Sequence, residues 1–136
     1  MVAYDGTGFD GWQRQPEWRT VQGVLEEALS AVLAEEVKVS GAGRTDAGCH
    51  ARGQVASFAT DAALPIHAFE PVLDQRLPYD LRVRSAAEVD TDFDARRSAI
   101  GRRYAYRLLR EDDLLFARIA WNPRRPLHEP GLARAI

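Results

Sequence analysis

The chain has 136 residues, of which 46% are hydrophobic and 28% are charged, and its net charge is −2. This length predicts one folded unit whose core needs neither disulfides nor a structural metal. The composition excludes a membrane-spanning helix, because no apolar run approaches the roughly 18 residues that such a helix needs. A single cysteine, Cys49, allows no internal disulfide, and the first residues resemble no secretory signal, so a cytoplasmic protein is expected.

The first two-thirds of the chain predicts elements in the order βαββαβ. The helices are recognised by their caps and apolar spacing, and the strands by alternation of apolar and polar residues. In chain order, the predicted elements are a strand at Val2–Tyr4, a helix from the N-cap Thr20 to Glu36, strands at 37–40 and 54–58, a helix from Pro65 to about Gln75, and a strand at 81–86.

A polar loop over residues 9–19 precedes the first helix and carries several aromatic and cationic side chains. Trp12 and Arg14 lie in this loop. Each could pack into the fold or contact a ligand; we expect Trp12 to pack and Arg14 to be exposed.

The segment from Ala42 to Ala51 is a glycine-bracketed turn between two predicted strands, and it contains Arg44, Asp46, Cys49 and His50. Taken alone, such a turn is most often structural, with the aspartate bonding its own backbone. However, Arg44 and Asp46 are two residues apart and would project to the same side of an extended segment. A cation beside a carboxylate can keep it ionised and suited to nucleophilic or general-base chemistry.

The sequence gives less support to other kinds of chemistry at this turn. His50 could form a catalytic dyad with Asp46, which would suit a hydrolase, but nothing else in the sequence supplies an oxyanion site. A metal site is not expected, because there is no cluster of ligands at characteristic spacings. Cys49 is expected to be a small buried side chain rather than a nucleophile.

Seventeen of the 18 basic residues are arginines, and the other is Lys38. Many of the arginines follow residue 95, where a predicted strand over 98–109 contains Arg102, Arg103, Tyr104 and Tyr106. An aromatic ring among arginines suits stacking on an unpaired base while the cations hold phosphates. We expect this of Tyr104, whereas Tyr106 is expected in the core. The pattern of a further helix begins at Pro126 and continues to Ile136 without a stop signal.

Taken together, these segments resemble the TruA family of tRNA pseudouridine synthases. The order and spacing of the blocks match, and a chance match of the central block alone is about one in 10⁷. The matching blocks are Tyr4-Asp5-Gly6-Thr7, Gly11-Trp12-Gln13-Arg14-Gln15, Val21-Gln22, Gly43-Arg44-Thr45-Asp46-Ala47-Gly48 with His50, Gly53-Gln54-Val55, Phe93-Asp94-Ala95-Arg96 and Arg102-Arg103-Tyr104.

The resemblance implies isomerisation of uridine to pseudouridine at positions 38 to 40 of the tRNA anticodon stem-loop, without cofactor or metal. It implies that Asp46 is the essential carboxylate, either as nucleophile or in glycal formation. Arg44 would support it and fill the space of the flipped nucleotide, and Tyr104 would stack on the uracil. Arg14, Arg102 and Arg103 are candidate RNA contacts.

The fold implied is α+β, namely the N-terminal ferredoxin-like (βαββαβ) half of the pseudouridine synthase fold with a mostly antiparallel sheet. Residues 1–110 would form the subdomain with the catalytic loop, and residues 111–136 the connection and the start of a helix toward a C-terminal subdomain. Full-length members of the family are expected to be homodimers. The alternative function is a truncated, catalytically incompetent RNA-binding fragment of such an enzyme.

Overall fold

The computed structural model describes residues 1–124. The chain forms two compact units, the first spanning Met1–Arg102 and the second beginning at Arg103. The first unit contains every helix and strand of the described residues.

Two small antiparallel sheets organise the first unit. In one of them, β1 (Val2–Tyr4) is the central strand between β3 (Ala51–Gln54) and β5 (Leu81–Val83). In the other, β2 (Ser40–Gly41) pairs with β4 (Ala56–Ser57). The predicted mixture of helices and antiparallel strands is therefore confirmed, whereas the ferredoxin-like arrangement stays a prediction.

Helix α1 (Val21–Leu33) begins where the sequence predicts. The Thr20 side chain accepts a hydrogen bond from the Gly23 amide at 3.3 Å, as an N-cap residue does. The helix ends at Leu33 rather than at Glu36, because Ala34 takes the left-handed conformation with φ 57°. Helix α2 (Phe69–Asp74) follows a 3₁₀ turn at Ile66–Ala68, and a second 3₁₀ turn spans Gly6–Gly8. Among the described residues, no helix is long and apolar enough to cross a membrane.

One apolar core joins the three-stranded sheet to both helices. Its members come from the inward side of β1 and β5, from α1 and α2, and from the segments that connect them. The most deeply buried are Val21, Leu29, Leu81, Trp12 and Val37. In the segment that follows β1, Gly6, Phe9, Gly11 and Trp12 are buried, and the Phe9 and Trp12 side chains belong to the core.

The strand predictions need correction in four places. The strand predicted at 81–86 ends at Val83. The segment 37–39 is buried at Val37 and Val39 but is not a strand, so that β2 is confined to Ser40 and Gly41. The predicted strand at 54–58 begins at Ala51 and is interrupted at Val55. The predicted strand at 98–109 is absent; the second unit has one isolated parallel bridge among its described residues, between Leu108 and Trp121.

Alternation of apolar and polar residues alone does not form that last strand, because a strand needs a partner for its backbone groups. Tyr106, expected in the core, is 90% exposed in the second unit. The helix predicted at 126–136 lies outside the described residues.

Candidate active site

The glycine-bracketed turn forms the loop between β2 and β3, residues 42–50, hereafter the Asp46 loop. Ala42 and Gly43 form a bend, and a turn follows at Ala47 and Gly48. The Cys49 amide donates to the Asp46 carbonyl at 3.1 Å, and Gly48 takes a positive φ of 77°. Of the loop's two bracketing glycines, Gly48 supplies this left-handed conformation.

Backbone hydrogen bonds clamp the Asp46 loop on both sides of Asp46. Before it, the Thr45 carbonyl accepts from the Trp12 amide at 2.9 Å. After it, the Gly48 amide donates to the Phe9 carbonyl at 3.2 Å. The Thr45 hydroxyl is also 2.8 Å from the Tyr4 hydroxyl, which is part-buried. The segment that follows β1 therefore fixes the position of the Asp46 backbone.

Two glycines permit this close approach. A Cβ atom on Gly6 would lie 2.0 Å from the Cys49 carbonyl oxygen, a distance that no side chain could tolerate. A Cβ atom on Gly11 would lie 2.9 Å from the Thr45 carbonyl oxygen, and Gly11 has a φ of 95°. The glycines in the first two matching blocks thus exist because the Asp46 loop packs directly on their backbone.

The entrance of the loop is held as well. The Ala42 amide donates to the Val55 carbonyl at 2.8 Å, and the Ala42 carbonyl accepts from Arg102 Nε at 2.6 Å. The Gly43 carbonyl accepts from the Gln54 side-chain amide. The candidate RNA contact Arg102 therefore binds the Asp46 loop itself, and a second nitrogen of its guanidinium lies 3.4 Å from the Arg96 carbonyl.

The two charged side chains of the loop, Asp46 and Arg44, point outward. Both Asp46 and Arg44 are exposed. Within residues 1–124, no ion pair joins them. The arrangement is a hydrogen-bonded backbone whose carboxylate and guanidinium are open to solvent. Cys49 is also exposed, which corrects the expectation that it is buried.

His50 faces the segment after β1. Its Nδ1 lies 3.3 Å from the Gly6 amide and 3.1 Å from Asp5 Oδ1. Asp5 Oδ1 in turn accepts from the Thr7 amide and hydroxyl, at 3.0 and 2.6 Å. These contacts favour a role for His50 in holding the end of the loop. No cluster of His, Cys, Asp and Glu in the described part of the chain could hold a metal ion.

Trp12 and Arg14 behave as expected, one buried and the other exposed. Trp12 is 2% exposed and packs beside the Tyr4 ring, with 6.2 Å between ring centroids. Arg14 Nη1 forms an ion pair with Glu26 Oε2 at 2.9 Å. The hydrogen bond with this carboxylate raises the pKa of the Arg14 guanidinium above its usual value.

Sequence reasoning missed the buried carboxylate Glu26, which lies on α1 one turn after Gln22. A polar pair at positions i and i+4 within an otherwise apolar helix face is the signal that could have found it. The remaining candidates, Arg103 and Tyr104, are exposed residues of the second unit; Tyr104 is 67% exposed.

Comparison with known proteins matches residues 1–96 to a family described as tRNA pseudouridine synthase. Among curated proteins, the chain is 51% identical over 112 residues to tRNA pseudouridine synthase A of Citrifermentans bemidjiense, covering 82% of this chain and 45% of the relative. It is 40% identical over 139 residues to the protein of that name from Picosynechococcus, covering 100% and 51%. With that of Moorella thermoacetica, identity is 44% over 138 residues, covering 98% and 56%. The chain spans about half the length of the curated relatives it matches.

Proposed function

Because this chain belongs to the tRNA pseudouridine synthase family, we propose that it isomerises uridine to pseudouridine in tRNA, at positions 38–40 of the anticodon stem-loop. Enzymes of this family are isomerases, and the proposed reaction uses neither metal nor cofactor. One observation carries the assignment to Asp46: its side chain is exposed, while the backbone on either side of it is hydrogen-bonded to Trp12 and Phe9.

The reaction rearranges bonds without oxidation or reduction. The bond from uracil N1 to ribose C1′ breaks, the base rotates, and a bond from uracil C5 to C1′ forms. The proton on C5 is lost, and N1 gains one. Asp46 acts either by adding to C1′ or by removing the C2′ proton to give a glycal.

The target base is stacked in the RNA and must first leave the strand, which costs a few kcal/mol. Arg44 is exposed and has no ion pair with Asp46, so its guanidinium is available to fill the vacated space and to sit beside the carboxylate once water is excluded. Tyr104 would stack on the flipped uracil, offsetting part of the cost. Its exposure leaves the ring open to a ligand.

Phosphate contacts would come from Arg14, Arg102 and Arg103. In the fold, Arg14 Nη1 binds Glu26, Arg14 Nη2 lies 3.7 Å from Glu27, and Arg102 Nε binds the Ala42 carbonyl. Pre-ordered arginines lose less conformational entropy when they bind phosphate. We also propose the division into residues 1–110, with the catalytic loop, and 111–136, the connection to a further subdomain.

A second candidate is an RNA-binding fragment without turnover, which takes its support from the length of the chain relative to its curated relatives. We also propose that full-length members assemble as homodimers. The proposed location is the cytoplasm, where tRNA is modified. Analytical ultracentrifugation of this chain and of a full-length relative tests the assembly.

The deciding experiment measures tritium release from tRNA that carries 5-tritiated uridine. Release by the wild-type chain is expected, with a loss of at least about a thousandfold in Asp46→Asn. The matched control is Asp61→Asn, since Asp61 is also exposed. Release that survives in Asp46→Asn would exclude the assignment, and tRNA binding without any release would support the fragment.

The two routes for Asp46 are separable by isotope substitution. Deuterium at C2′ of the target ribose slows the glycal route, because that route breaks the C2′ bond to hydrogen. It leaves direct attack at C1′ almost unaffected. Single-turnover rates on deuterated and normal tRNA make the comparison.

A further inference from the structure

Helix α1 contains a buried carboxylate that the proposed reaction does not use. Glu26 is 2% exposed and lies on the side of the helix that faces the core. A buried carboxylate is costly unless hydrogen-bond donors surround it. Its partners therefore indicate why the fold places a charge at this position.

Three donors surround Glu26. Its Oε2 accepts from Arg14 Nη1 at 2.9 Å. Its Oε1 accepts from the Val39 backbone amide at 2.9 Å and from the Gln22 side-chain amide at 3.0 Å. Every one of these contacts requires an acceptor at Glu26.

Gln22 extends the network to the same two segments. Its Oε1 accepts from the Arg14 backbone amide at 2.9 Å, and its Nε2 also donates to the Val39 carbonyl at 3.0 Å. Together, the Gln22 and Glu26 side chains fasten Arg14 and Val39 to one face of α1.

Both fastened segments lead to the Asp46 loop. Val39 directly precedes β2, whose end is the entrance of the loop. On the other side, Trp12 lies two residues before Arg14; its carbonyl accepts from the Gln22 amide at 3.0 Å, and its own amide holds the Thr45 carbonyl. The network thus fixes the strand that enters the loop and the segment that clamps it.

We propose that Glu26 is a positioning residue for Asp46, acting through Val39 and through the segment at Trp12 and Arg14. This proposal rests on the proposed function for its consequence in turnover. Glu26 touches neither the substrate nor the reacting atoms. A Glu26 that only stabilised the fold would affect the amount of folded protein and not the rate of the folded enzyme.

The test uses Glu26→Gln, with Glu27→Gln as control. Glu27 is exposed and lies 3.7 Å from Arg14 Nη2, so this control removes an ion pair of Arg14 and leaves the contacts of Glu26 with Val39 and Gln22 in place. The glutamine has the same shape, but its amide nitrogen must face either Arg14 or the donors of Val39 and Gln22. At a temperature where both variants are folded by circular dichroism, kcat for tritium release should fall about tenfold in Glu26→Gln, the effect of one lost hydrogen bond to a charged group. KM should stay within about twofold, and Glu27→Gln should match wild type.

A double variant provides the rescue. In Glu26→Gln/Arg14→Met, the amide nitrogen no longer faces the Arg14 donors, and the amide oxygen can still accept from Val39 and Gln22. Its kcat should recover at least about threefold relative to Glu26→Gln, whereas its KM should rise, because Arg14 is also a proposed phosphate contact. An unchanged kcat in Glu26→Gln, or a loss shared by Glu27→Gln, overturns the proposal.

Amide hydrogen exchange decides the proposal without turnover. The reporters are the amides of Trp12, Gly48 and Cys49, which make the loop hydrogen bonds but do not touch Glu26. They should exchange about tenfold faster in Glu26→Gln, while Ala3 in β1 is unchanged. A change confined to Val39, or one shared equally by Ala3, overturns the proposal. If the wild-type chain releases no tritium, the proposed function fails. The exchange rates still test whether Glu26 positions the Asp46 loop.

Discussion

The Asp46 loop and the segment 103–107 both carry candidate catalytic side chains, Asp46 and Tyr104, but the fold treats them differently. The loop backbone is hydrogen-bonded to the segment after β1 on both sides of Asp46. Every residue from 103 to 107 is exposed and lies outside regular secondary structure. The first region is therefore built by contacts within the first unit.

The difference indicates which part of the site each region can supply. A carboxylate that attacks one ribose atom needs a fixed position, to within fractions of an ångström. A ring that stacks on a base tolerates a range of positions, because stacking depends on overlap of two faces. We therefore expect substitutions in the two regions to separate stability from turnover.

Among the substitutions that test this comparison, Gly6→Ala should have the largest effect on stability. The new methyl group would meet the Cys49 carbonyl at 2.0 Å, and neither backbone can move without breaking β1 or the loop. Stability should fall by about 3 kcal/mol, at the upper end of overpacking costs. Urea denaturation measures this loss.

Gly101→Ala is the control, since a Cβ atom at Gly101 meets nothing within 4 Å. Its free energy of unfolding should stay within about 0.5 kcal/mol of wild type. Equal stability of Gly6→Ala and Gly101→Ala would contradict the close packing of the loop on Gly6.

Next in size is the effect of Tyr104→Ala on turnover. Loss of a stacking contact worth about 1–3 kcal/mol should reduce turnover by about 10- to 100-fold. The unfolding free energy should hardly change, because Tyr104 is 67% exposed. Tritium release and urea denaturation measure the two quantities on the same preparations.

Two further variants test which part of Tyr104 matters and whether the effect is specific to this ring. Tyr104→Phe keeps the stack, so a loss in this variant would reveal a role of the hydroxyl in removing the C5 proton. Tyr106→Ala removes an even more exposed ring, 90% exposed, and should keep full turnover. A matching loss in Tyr106→Ala would show that the segment acts without specificity for Tyr104.

The sequence predicted the first unit, which contains the Asp46 loop, far better than the segment 103–107. The apolar spacing of α1 and the Thr20 cap are local properties, and the structure confirms them. The glycines and Asp46 could be recognised as a turn, but that Gly6 and Gly11 receive the backbone of a loop more than 30 residues away is a tertiary contact. A contact between segments so far apart along the chain leaves no signal in a local sequence pattern.

The errors have a common physical cause. The alternation at 98–109 and at 37–40 fits a strand, but pairing depends on a partner that local sequence does not contain. Glu26 was overlooked because its partners, Arg14 and Val39, come from segments 12 and 13 residues away along the chain. The reason for a buried carboxylate is clear only once the hydrogen-bond donors around it are known.

A smaller effect is expected at the bidentate ion pair between Arg19 and Asp80. The two nitrogen-to-oxygen distances are 2.9 and 2.8 Å, and the Arg19 guanidinium also lies 4.0 Å above the Phe9 ring. This pair supports Phe9, whose carbonyl clamps Gly48. Asp80→Asn should cost about 1–2 kcal/mol, since Arg19 is partly exposed to solvent.

Thermal denaturation of Asp80→Asn measures this cost, with Asp61→Asn as the exposed control. The exchange of the Gly48 amide should also accelerate in Asp80→Asn. A destabilised variant with an unchanged Gly48 amide would mean that the ion pair supports the core but not the Asp46 loop.

The smallest effect concerns the turn at 94–98, which lies along the chain between the two regions. Hydrogen bonds hold the pKa of Asp94 below its usual value of 3.8. The largest cause is the bond from the Arg97 backbone amide at 2.8 Å, followed by that from the Ser40 side chain and then that from the Arg96 amide at 3.0 Å. A lowered folded-state pKa means that this stabilisation is full above about pH 4 and is lost as the pH falls through the folded value. Wild type should therefore exceed Asp94→Asn in stability at pH 6, and the difference should shrink by pH 2. A difference that stays constant from pH 6 to pH 2 would show that the Asp94 charge does not hold this turn.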